Sequence, residues 1–333
     1  MMEAEKRPTY PQKWCEYNLA QTNEKAHFQT LLYELCRNVE DLPRKPGAGR
    51  NRLPMSEMIF SAVFKIYSTM SGRRFISDLM EAQRRGLISK APHFNSIFNY
   101  LELEEMTDVL RQLIVTSSLP LKAVETDFAV DSSGFSTGVH KKWVDAKWPS
   151  AQVKRSPAFK PLPINSRDWL KCHLMCGVQT NIITSVEITQ AFGADSPQFE
   201  TLLESTSQNF AIKSVSADKA YSSTKNLQLV SLKGGEPYIA FRSTARGDGN
   251  CAVWNRVYHY YALNRDEFMR HYHLRSNVET TFSMIKRKFG DKLRSKTRTA
   301  QANEVLCKVL CHNLCCVIQS MYELGIDVDF AAV

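Results

Sequence analysis

Five side chains of mixed chemistry recur at helical spacing between residues 272 and 286. They follow one another at steps of 3, 4, 3 and 4, which places them on one stripe of a helix. They are Tyr272, Arg275, Glu279, Phe282 and Lys286. A core-facing stripe is normally apolar, whereas this one carries a phenol, a guanidinium, a carboxylate and an ammonium group. The pattern indicates either a solvated helix face or a site that uses these charges.

Two structural interpretations of the same segment compete with a functional one. The residues from Ser276 to Glu279 match the capping box of a helix start. Arg275 and Glu279 are also spaced for an i,i+4 ion pair, which stabilises a helix only slightly. Tyr272 fits a core position on a half-buried helix as well as it fits a site. The choice between these structural interpretations and a functional site therefore depends on other parts of the sequence, which contain two further candidate carboxylates.

Two aspartates are predicted at the carboxyl ends of buried strands. Residues 123–131 alternate in polarity and end at Asp131, and residues 212–218 form a short strand that ends at Asp218. Ligand sites in open α/β sheets gather at such strand ends. Asp131 and Asp218 are therefore candidates for a site shared with Glu279.

A trio of clustered carboxylates needs a positive partner, because the three charges repel one another. Hard divalent cations with oxygen ligands provide it, and Mg²⁺ is typically held by one or two carboxylates and by phosphate oxygens of a substrate. Two such ions about 3.5–4 Å apart activate the attacking oxygen and stabilise the leaving oxygen of a phosphodiester. Asp131, Asp218 and Glu279 are therefore a candidate site for two Mg²⁺ ions, with Mn²⁺ as an alternative.

The order of predicted elements gives the fold class. After residue 121 the elements run β, β, β, α, β, α, β, α, which is typical of an α/β, ribonuclease-H-like core, a mixed sheet flanked by helices. We predict this catalytic domain over residues 121–323, with a tail over 324–333. Residues 1–120 read as an all-α region with a Pro-, Gly- and Arg-rich linker at 43–54. A DNA-binding region with helix-turn-helix character and a plain helical bundle fit those helices equally well.

Composition narrows the class of protein further. The chain has 333 residues, is 43% hydrophobic, and carries 43 basic against 34 acidic side chains, for a net charge of +9. This composition excludes a disordered protein and favours a polyanionic partner. No run of 18 apolar residues and no signal peptide is found, so we expect a soluble protein of the cytoplasm that associates with the nucleoid, with no membrane contact.

Cysteine spacing raises the alternative of a zinc site near the C-terminus. The chain has nine cysteines, and Cys307, Cys311 and Cys315 recur every four residues beside His312. Straight helical spacing lines thiols along a stripe and does not converge them on a tetrahedron. Small buried side chains with reduced thiols are the favoured interpretation.

The contexts of the three acids resemble those of bacterial insertion-sequence transposases of the DDE type. The group with the signature Tyr-x2-Arg-x3-Glu-x6-Lys is matched without departure by Tyr272, Arg275, Glu279 and Lys286. Segments 129–134 and 216–221, around the two aspartates, also look like that family, and the resemblance covers about residues 50–320. One departure is Ala194, which replaces the histidine of a family His-Asp-Ser segment and leaves the role of that segment open.

The resemblance implies a DNA transposase. Asp131, Asp218 and Glu279 bind the metal ions, activated water cuts at the transposon ends, and the freed 3′-hydroxyl attacks target DNA. Tyr272, Arg275 and Lys286 become auxiliary residues that contact DNA phosphates. The implied partners are double-stranded DNA, as terminal inverted repeats and as target, and a second copy of the chain in a homodimer. A transposon-derived DNA-binding protein without activity and a ribonuclease-H-like nuclease without strand transfer remain as alternatives, although the presence of all three acids disfavours the former.

Basic residues elsewhere in the chain are candidate DNA contacts. Lysine and arginine bind phosphates, and aromatic residues among them stack on unpaired bases. Solvated charged segments would produce the same pattern. The candidates lie in the linker, in the stretch between the first two strands, and after Glu279; they are Arg50, Arg52, Lys141, Lys142, Lys154, Arg155, Arg287 and Lys288.

Overall fold

The computed structural model of the chain describes residues 13–41, 43, 52–137 and 169–330. Its α-helices are α1 (Trp14–Cys36), α2 (Met55–Ser68), α3 (Gly72–Arg84), α4 (Phe94–Leu101), α5 (Glu104–Ser118), α6 (Ser196–Ser207), α7 (Thr224–Leu232), α8 (Ala252–Leu263), α9 (Arg265–Tyr272), α10 (Ser276–Phe289) and α11 (Arg298–Glu323). Its strands are β1 (Asp127–Ser136), β2 (Trp169–Gly177), β3 (Ile183–Gln190), β4 (Ser214–Ala217) and β5 (Glu236–Ile239).

The five strands form one mixed sheet in the order β3-β2-β1-β4-β5. β1 and β3 are both antiparallel to β2, and the β2–β3 turn contains Asn181 with φ 60°. β4 is parallel to both β1 and β5. Helix α7 is the crossover between β4 and β5, whereas β2, β3 and α6 lie between β1 and β4 in the chain. The predicted α/β class and the predicted succession of strands and helices through β5 are confirmed.

Both faces of the sheet are covered, since side chains along β1 alternate between two hydrophobic clusters. Ala129 and Phe135 pack with α5, α10 and α11, which cover what we call the α10 face. Phe128 and Val130 pack with apolar side chains of α6, α7, α8 and α9, which cover the α6 face. This alternation has a consequence for the site, because it points Asp131 to the α10 face and Ser132 to the α6 face.

The first strand is longer than the sequence predicts. Asp131 was expected at its carboxyl end, but β1 continues for five more residues to Ser136. The antiparallel partner β2 pairs with β1 as far as Ser136, whereas the parallel partner β4 ends opposite Val130. Asp131 therefore stands in mid-strand, at the first position where β1 has lost its parallel neighbour.

The helix that carries Glu279 is interrupted, contrary to the prediction of one long helix. Tyr272 is the last residue of α9, a 3₁₀ turn spans His273–Arg275, and α10 begins at Ser276. The carbonyl of His271, which a continuous helix would offer to the N–H of Arg275, accepts a hydrogen bond of 3.0 Å from Ser216 Oγ on β4. The segment before the break was also not predicted in detail, and it forms α8 and α9.

The N-terminal helices share a core with the sheet. Apolar residues of α1, α2 and α5 belong to the same cluster as α11 and the α10 face of the sheet. Among the described residues, α11 is long and apolar enough by composition to cross a membrane, but 78% of its most apolar stretch is buried inside the protein. Its side chains therefore serve this shared core.

Candidate active site

The two aspartates leave neighbouring parallel strands side by side. Val130 of β1 is paired with Ala217 of β4, so Asp131 and Asp218 are the next residues on strands that lie about 4.8 Å apart. Asp131 Oδ1 accepts a 2.7 Å hydrogen bond from the N–H of Ser132. Asp218 caps a 3₁₀ turn over Lys219–Tyr221, with its Oδ1 2.5 Å from the N–H of Lys219.

Glu279 approaches Asp131 from the first turn of α10, across the same cleft. This helix is held on the sheet by Val278, Phe282, Ile285 and Phe289, which are buried in the cluster of the α10 face. Ser276 does not cap the helix with its side chain, so the capping-box interpretation of Glu279 is wrong. Its carboxylate is instead directed at Arg275 and is about half exposed, at 54%.

One guanidinium connects two of the three acids. Arg275 Nη1 lies 2.7 Å from Glu279 Oε1 and 3.7 Å from Asp131 Oδ2. The i,i+4 pair that the spacing allowed is therefore present, and it also reaches a carboxylate on the sheet. Arg275 lies over the ring of Tyr272 at 5.8 Å, so Tyr272, Arg275 and Glu279 of the predicted stripe stay connected across the helix break.

The electrostatics of the site follow from this crowding. Burial raises the pKa of Asp131, and the charges of Asp218 and Glu279 raise it further. The hydrogen bond from Ser132 and the charge of Arg275 act in the opposite direction. Asp218 and Glu279 are thus close enough to affect Asp131, and the guanidinium of Arg275 is the local positive charge beside Asp131 and Glu279.

An open cleft of about 520 Å³ contains part of this constellation. It is lined by Asp131, Ser132, Ser133, Glu279, Phe282, Ser283, Lys286, Arg287 and Asp291. Asp218 lies beside this lining and is not part of it. Lys286 crosses the cleft and donates a 2.6 Å hydrogen bond to Ser133 Oγ, with its ammonium 5.3 Å from the ring of Phe135. Burial lowers the pKa of Lys286.

The three carboxylates do not form a finished metal site. Within the described part of the chain, no group of three or more His, Cys, Asp or Glu side chains is close enough to hold a metal ion. This also applies to the cysteines of α11, where Cys307, Cys311 and Cys316 are buried and Cys315 is partly buried. The interpretation of these cysteines as small core residues is the one that their burial supports.

A polar cluster that was not predicted lies on the other face of the sheet, behind Asp131. Asp195, just before α6, has its Oδ1 2.7 Å from Lys171 Nζ and 3.3 Å from His173 Nδ1, and it accepts a 2.7 Å hydrogen bond from Ser132 Oγ. The sequence signal was the Ala194-Asp195-Ser196 segment, whose missing histidine left its role open. His173 of β2 brings an imidazole to Asp195 from another part of the chain.

The candidate DNA contacts occupy different settings. Arg287 is exposed at the cleft, whereas Lys288 on the neighbouring position forms an ion pair with Glu24 of α1. Arg52 is exposed just before α2. The other candidates, Arg50, Lys141, Lys142, Lys154 and Arg155, lie outside the described residues.

A basic loop joins α10 to α11 at the edge of the cleft. Buried Lys308 of α11 donates to the carbonyls of Gly290 and Lys292, and Glu304 accepts from the N–H groups of Arg294 and Ser295. These bonds fix the path of the loop while its cations stay at the surface. The loop also contacts the N-terminal helices, because Arg294 Nη1 donates a 3.2 Å hydrogen bond to the carbonyl of Thr69 before α3.

Comparison with known proteins identifies the class. Residues 122–314 match the family model of the transposase DDE domain, and the chain belongs to this family. The resemblance to DDE-type insertion-sequence transposases is thereby confirmed. A solved structure with partial similarity is the cryo-EM piggyBac transposase synaptic complex with hairpin DNA; the sequences are 11% identical, the TM-score is 0.41, and the match covers 96% of this chain and 77% of that one. The comparison with curated proteins found no match.

Proposed function

We propose that this transposase is an active, metal-dependent enzyme that cuts DNA at transposon ends and joins the freed 3′-hydroxyl to target DNA. The observation that carries the proposal is the placement of Asp131 and Asp218 on adjacent parallel strands, with Glu279 linked to Asp131 through Arg275. We further propose that the sheet is a ribonuclease-H-like core and that residues 121–323 form the catalytic domain. The order of antiparallel and parallel strands supports this assignment.

The acids fit divalent metal ions by their chemistry. All three carry hard oxygen donors, and the guanidinium of Arg275 already lies between two of them, Asp131 and Glu279. We infer that Arg275 stands where positive charge is required and that Asp131, Asp218 and Glu279 hold Mg²⁺ or Mn²⁺ once Arg275 moves away. When bound, two such ions supply activation of the attacking oxygen and stabilisation of the leaving oxygen.

The chain's own cations have separate tasks in this proposal. Arg275, displaced from the acids, neutralises a DNA phosphate beside the cut, and Tyr272 packs under its guanidinium. Lys286 lies seven residues beyond Glu279, about 10 Å along α10, so it reaches a phosphate one to two nucleotides away. Its position over Phe135 and its bond to Ser133 fix the direction of its ammonium.

DNA that extends beyond the cleft lies on a surface formed by the start of α3 and by the end of α10 with the α10–α11 loop. We define the cleft-edge surface as the exposed cations Arg73, Arg74, Arg287, Lys292 and Arg294. The bond of Arg294 to Thr69 brings the start of α3 next to the α10–α11 loop. The start of α3 thereby contributes to DNA binding from a fixed position beside the α10–α11 loop. Because a transposon has two ends, we propose that two copies act together as a homodimer on DNA.

A strand-transfer assay tests the function. The full chain is incubated with Mg²⁺, a duplex containing the inverted repeats that flank the gene, and a target plasmid. Cleavage followed by joined product is the expected result. Cleavage without joining would identify a nuclease, and binding without cleavage would identify an inactive DNA-binding protein.

A further inference from the structure

The cluster around Asp195 is built from three elements of the α6 face. Asp195 precedes α6, Ser132 belongs to β1, and Lys171 and His173 are paired with Gly134 and Ser132 across the β1–β2 ladder. Lys171 also donates to the carbonyl of Gly193 at 3.1 Å, and Trp169 Nε1 donates to the carbonyl of Ala191 at the same distance. Two side chains of β2 therefore fix the turn that presents Asp195.

His173 belongs to the cluster without adding charge to it at neutral pH. The imidazole is fully buried, and its Nε2 lies 2.8 Å from Thr189 Oγ1. Burial lowers the pKa of His173 to about 4. The imidazole therefore adds no charge to the ion pair of Lys171 and Asp195. Asp195 also accepts the hydrogen bond from Ser132 Oγ.

Ser132 connects this cluster to the acid on the opposite face. Its hydroxyl donates to Asp195 on the α6 face, while its peptide N–H donates to Asp131 Oδ1. The buried hydroxyl of Tyr221, three residues after Asp218, lies beside the same serine. Ser132 makes both hydrogen bonds, one with its hydroxyl and one with its peptide N–H. A contact that holds its side chain in the extended strand therefore also holds the peptide N–H that orients Asp131.

We propose that Asp195 is a positioning residue, which acts through Ser132 to hold Asp131 in the orientation that binds a divalent metal ion. The inference rests on the proposed role of Asp131 as a metal ligand. It requires no contact of Asp195 with metal or DNA, since the sheet separates Asp195 from the cleft. Outer groups that hydrogen-bond around a metal site typically change its affinity by about 10- to 100-fold.

The test measures Mn²⁺ binding to the full chain in the absence of DNA, by electron paramagnetic resonance of the free ion. Asp195→Ala and Ser132→Ala are each expected to raise the Kd for Mn²⁺ about tenfold. The double variant is expected to be no weaker than either single one, because both changes break the same connection. Ser132→Thr keeps the hydroxyl and is expected to bind nearly as the parent does.

Glu200→Ala is the matched control. Glu200 of α6 is, like Asp195, a carboxylate that pairs with a lysine, Lys225, but at the surface. A general loss of stability lowers the melting temperature in any of these variants and leaves the Kd for Mn²⁺ unchanged at temperatures where the protein is folded. Ser132→Ala removes a single oxygen and keeps the Lys171 pair, so it reports on the connection even if Asp195→Ala does not fold.

The outcomes separate this inference from the proposed function. If Asp131→Ala abolishes Mn²⁺ binding but Ser132→Ala and Asp195→Ala bind as the parent does, Asp195 has only a structural role and the inference is overturned. If Asp131→Ala binds Mn²⁺ as the parent does, the metal site itself is misplaced and both proposals fail. Additive losses in the double variant would show two independent effects and would also contradict the inference.

Discussion

Arg275 Nη1 lies 2.7 Å from Glu279 Oε1, so the glutamate of the site is already paired with a cation from its own segment. The same nitrogen is 3.7 Å from Asp131 Oδ2. A divalent ion that uses both carboxylates has to displace this guanidinium. The protein therefore carries an internal competitor for metal, and removing it has a measurable effect.

We predict that Arg275→Gln binds Mn²⁺ more tightly than the parent chain in the absence of DNA. Two unit charges about 6 Å apart at a partly exposed site interact by about 1 kcal/mol, so the expected gain is several-fold and at most about tenfold. Cleavage of DNA is expected to fall in the same variant, because Arg275 no longer neutralises a phosphate. Weaker Mn²⁺ binding would show instead that Arg275 positions Glu279 for the metal.

The three acids are expected to be needed for chemistry and not for DNA binding. Asp131→Asn, Asp218→Asn and Glu279→Gln should each lower cleavage about a thousandfold or more, because metal ions contribute several kcal/mol to such reactions. DNA affinity, measured by fluorescence anisotropy, should stay the same or rise slightly. Asp291→Asn is the control, since Asp291 lines the same cleft but belongs to the loop after α10. Parent-like cleavage in any of the three acid variants would remove that residue from the site.

The sequence predicted the order of the strands that carry the two aspartates, but not how the acids are held. Strand patterns and element order place Asp131 and Asp218 after neighbouring parallel segments of β1 and β4, although β1 continues past Asp131. The position of Arg275 depends on the helix break after Tyr272, where Ser216 Oγ donates to the carbonyl of His271, a contact between residues 55 apart. No local pattern around residue 271 encodes it, since the segment contains neither proline nor glycine.

The Asp195 cluster could not be predicted from the sequence either, because its contacts join distant parts of the chain. Ser132 and His173 meet only through the pairing register of β1 with β2, and Asp195 joins them through the path of a turn. A motif comparison looks for histidine at position 194, next to the aspartate in sequence. The fold supplies the imidazole from position 173, which only three-dimensional packing reveals.

The cleft-edge surface predicts a specific change in salt dependence. Arg73→Ala and Arg287→Ala should each weaken binding to a duplex of unrelated sequence. The plot of log K against log [KCl] has a negative slope, and the magnitude of that slope should decrease by about one for each lost phosphate contact. Anisotropy titrations between low and physiological KCl measure both quantities. Lys233→Ala is the control, because this exposed lysine follows α7, away from the cleft. An unchanged slope for Arg73→Ala would mean that DNA does not extend over the start of α3.

The stability of the fold should depend on pH through a buried histidine of α11. His312 Nε2 lies 2.9 Å from the carbonyl of Asn181 in the β2–β3 turn, and burial lowers the pKa of His312 to about 4. Its unfolded value is near 6.5, so between pH 6.5 and 4 the unfolded chain binds a proton that the folded protein does not. The free energy of unfolding therefore falls as the pH falls through this window. From pH 7 to pH 5 this histidine accounts for about 2 kcal/mol of that loss.

Urea unfolding of His312→Gln at pH 7 and pH 5 isolates this contribution. Glutamine does not titrate, and its amide N–H replaces the donor to Asn181, so the variant should lose about 2 kcal/mol less than the parent between the two pH values. Carboxylates with raised pKa values, such as Glu125 and Glu187, are shared by both proteins and cancel in the comparison. His259→Gln, at an exposed position of α8, should leave the difference between pH 7 and pH 5 as it is in the parent. An equal loss in His312→Gln and the parent would mean that His312 accepts a proton within the folded core, and that the contact between α11 and the β2–β3 turn opens to admit it.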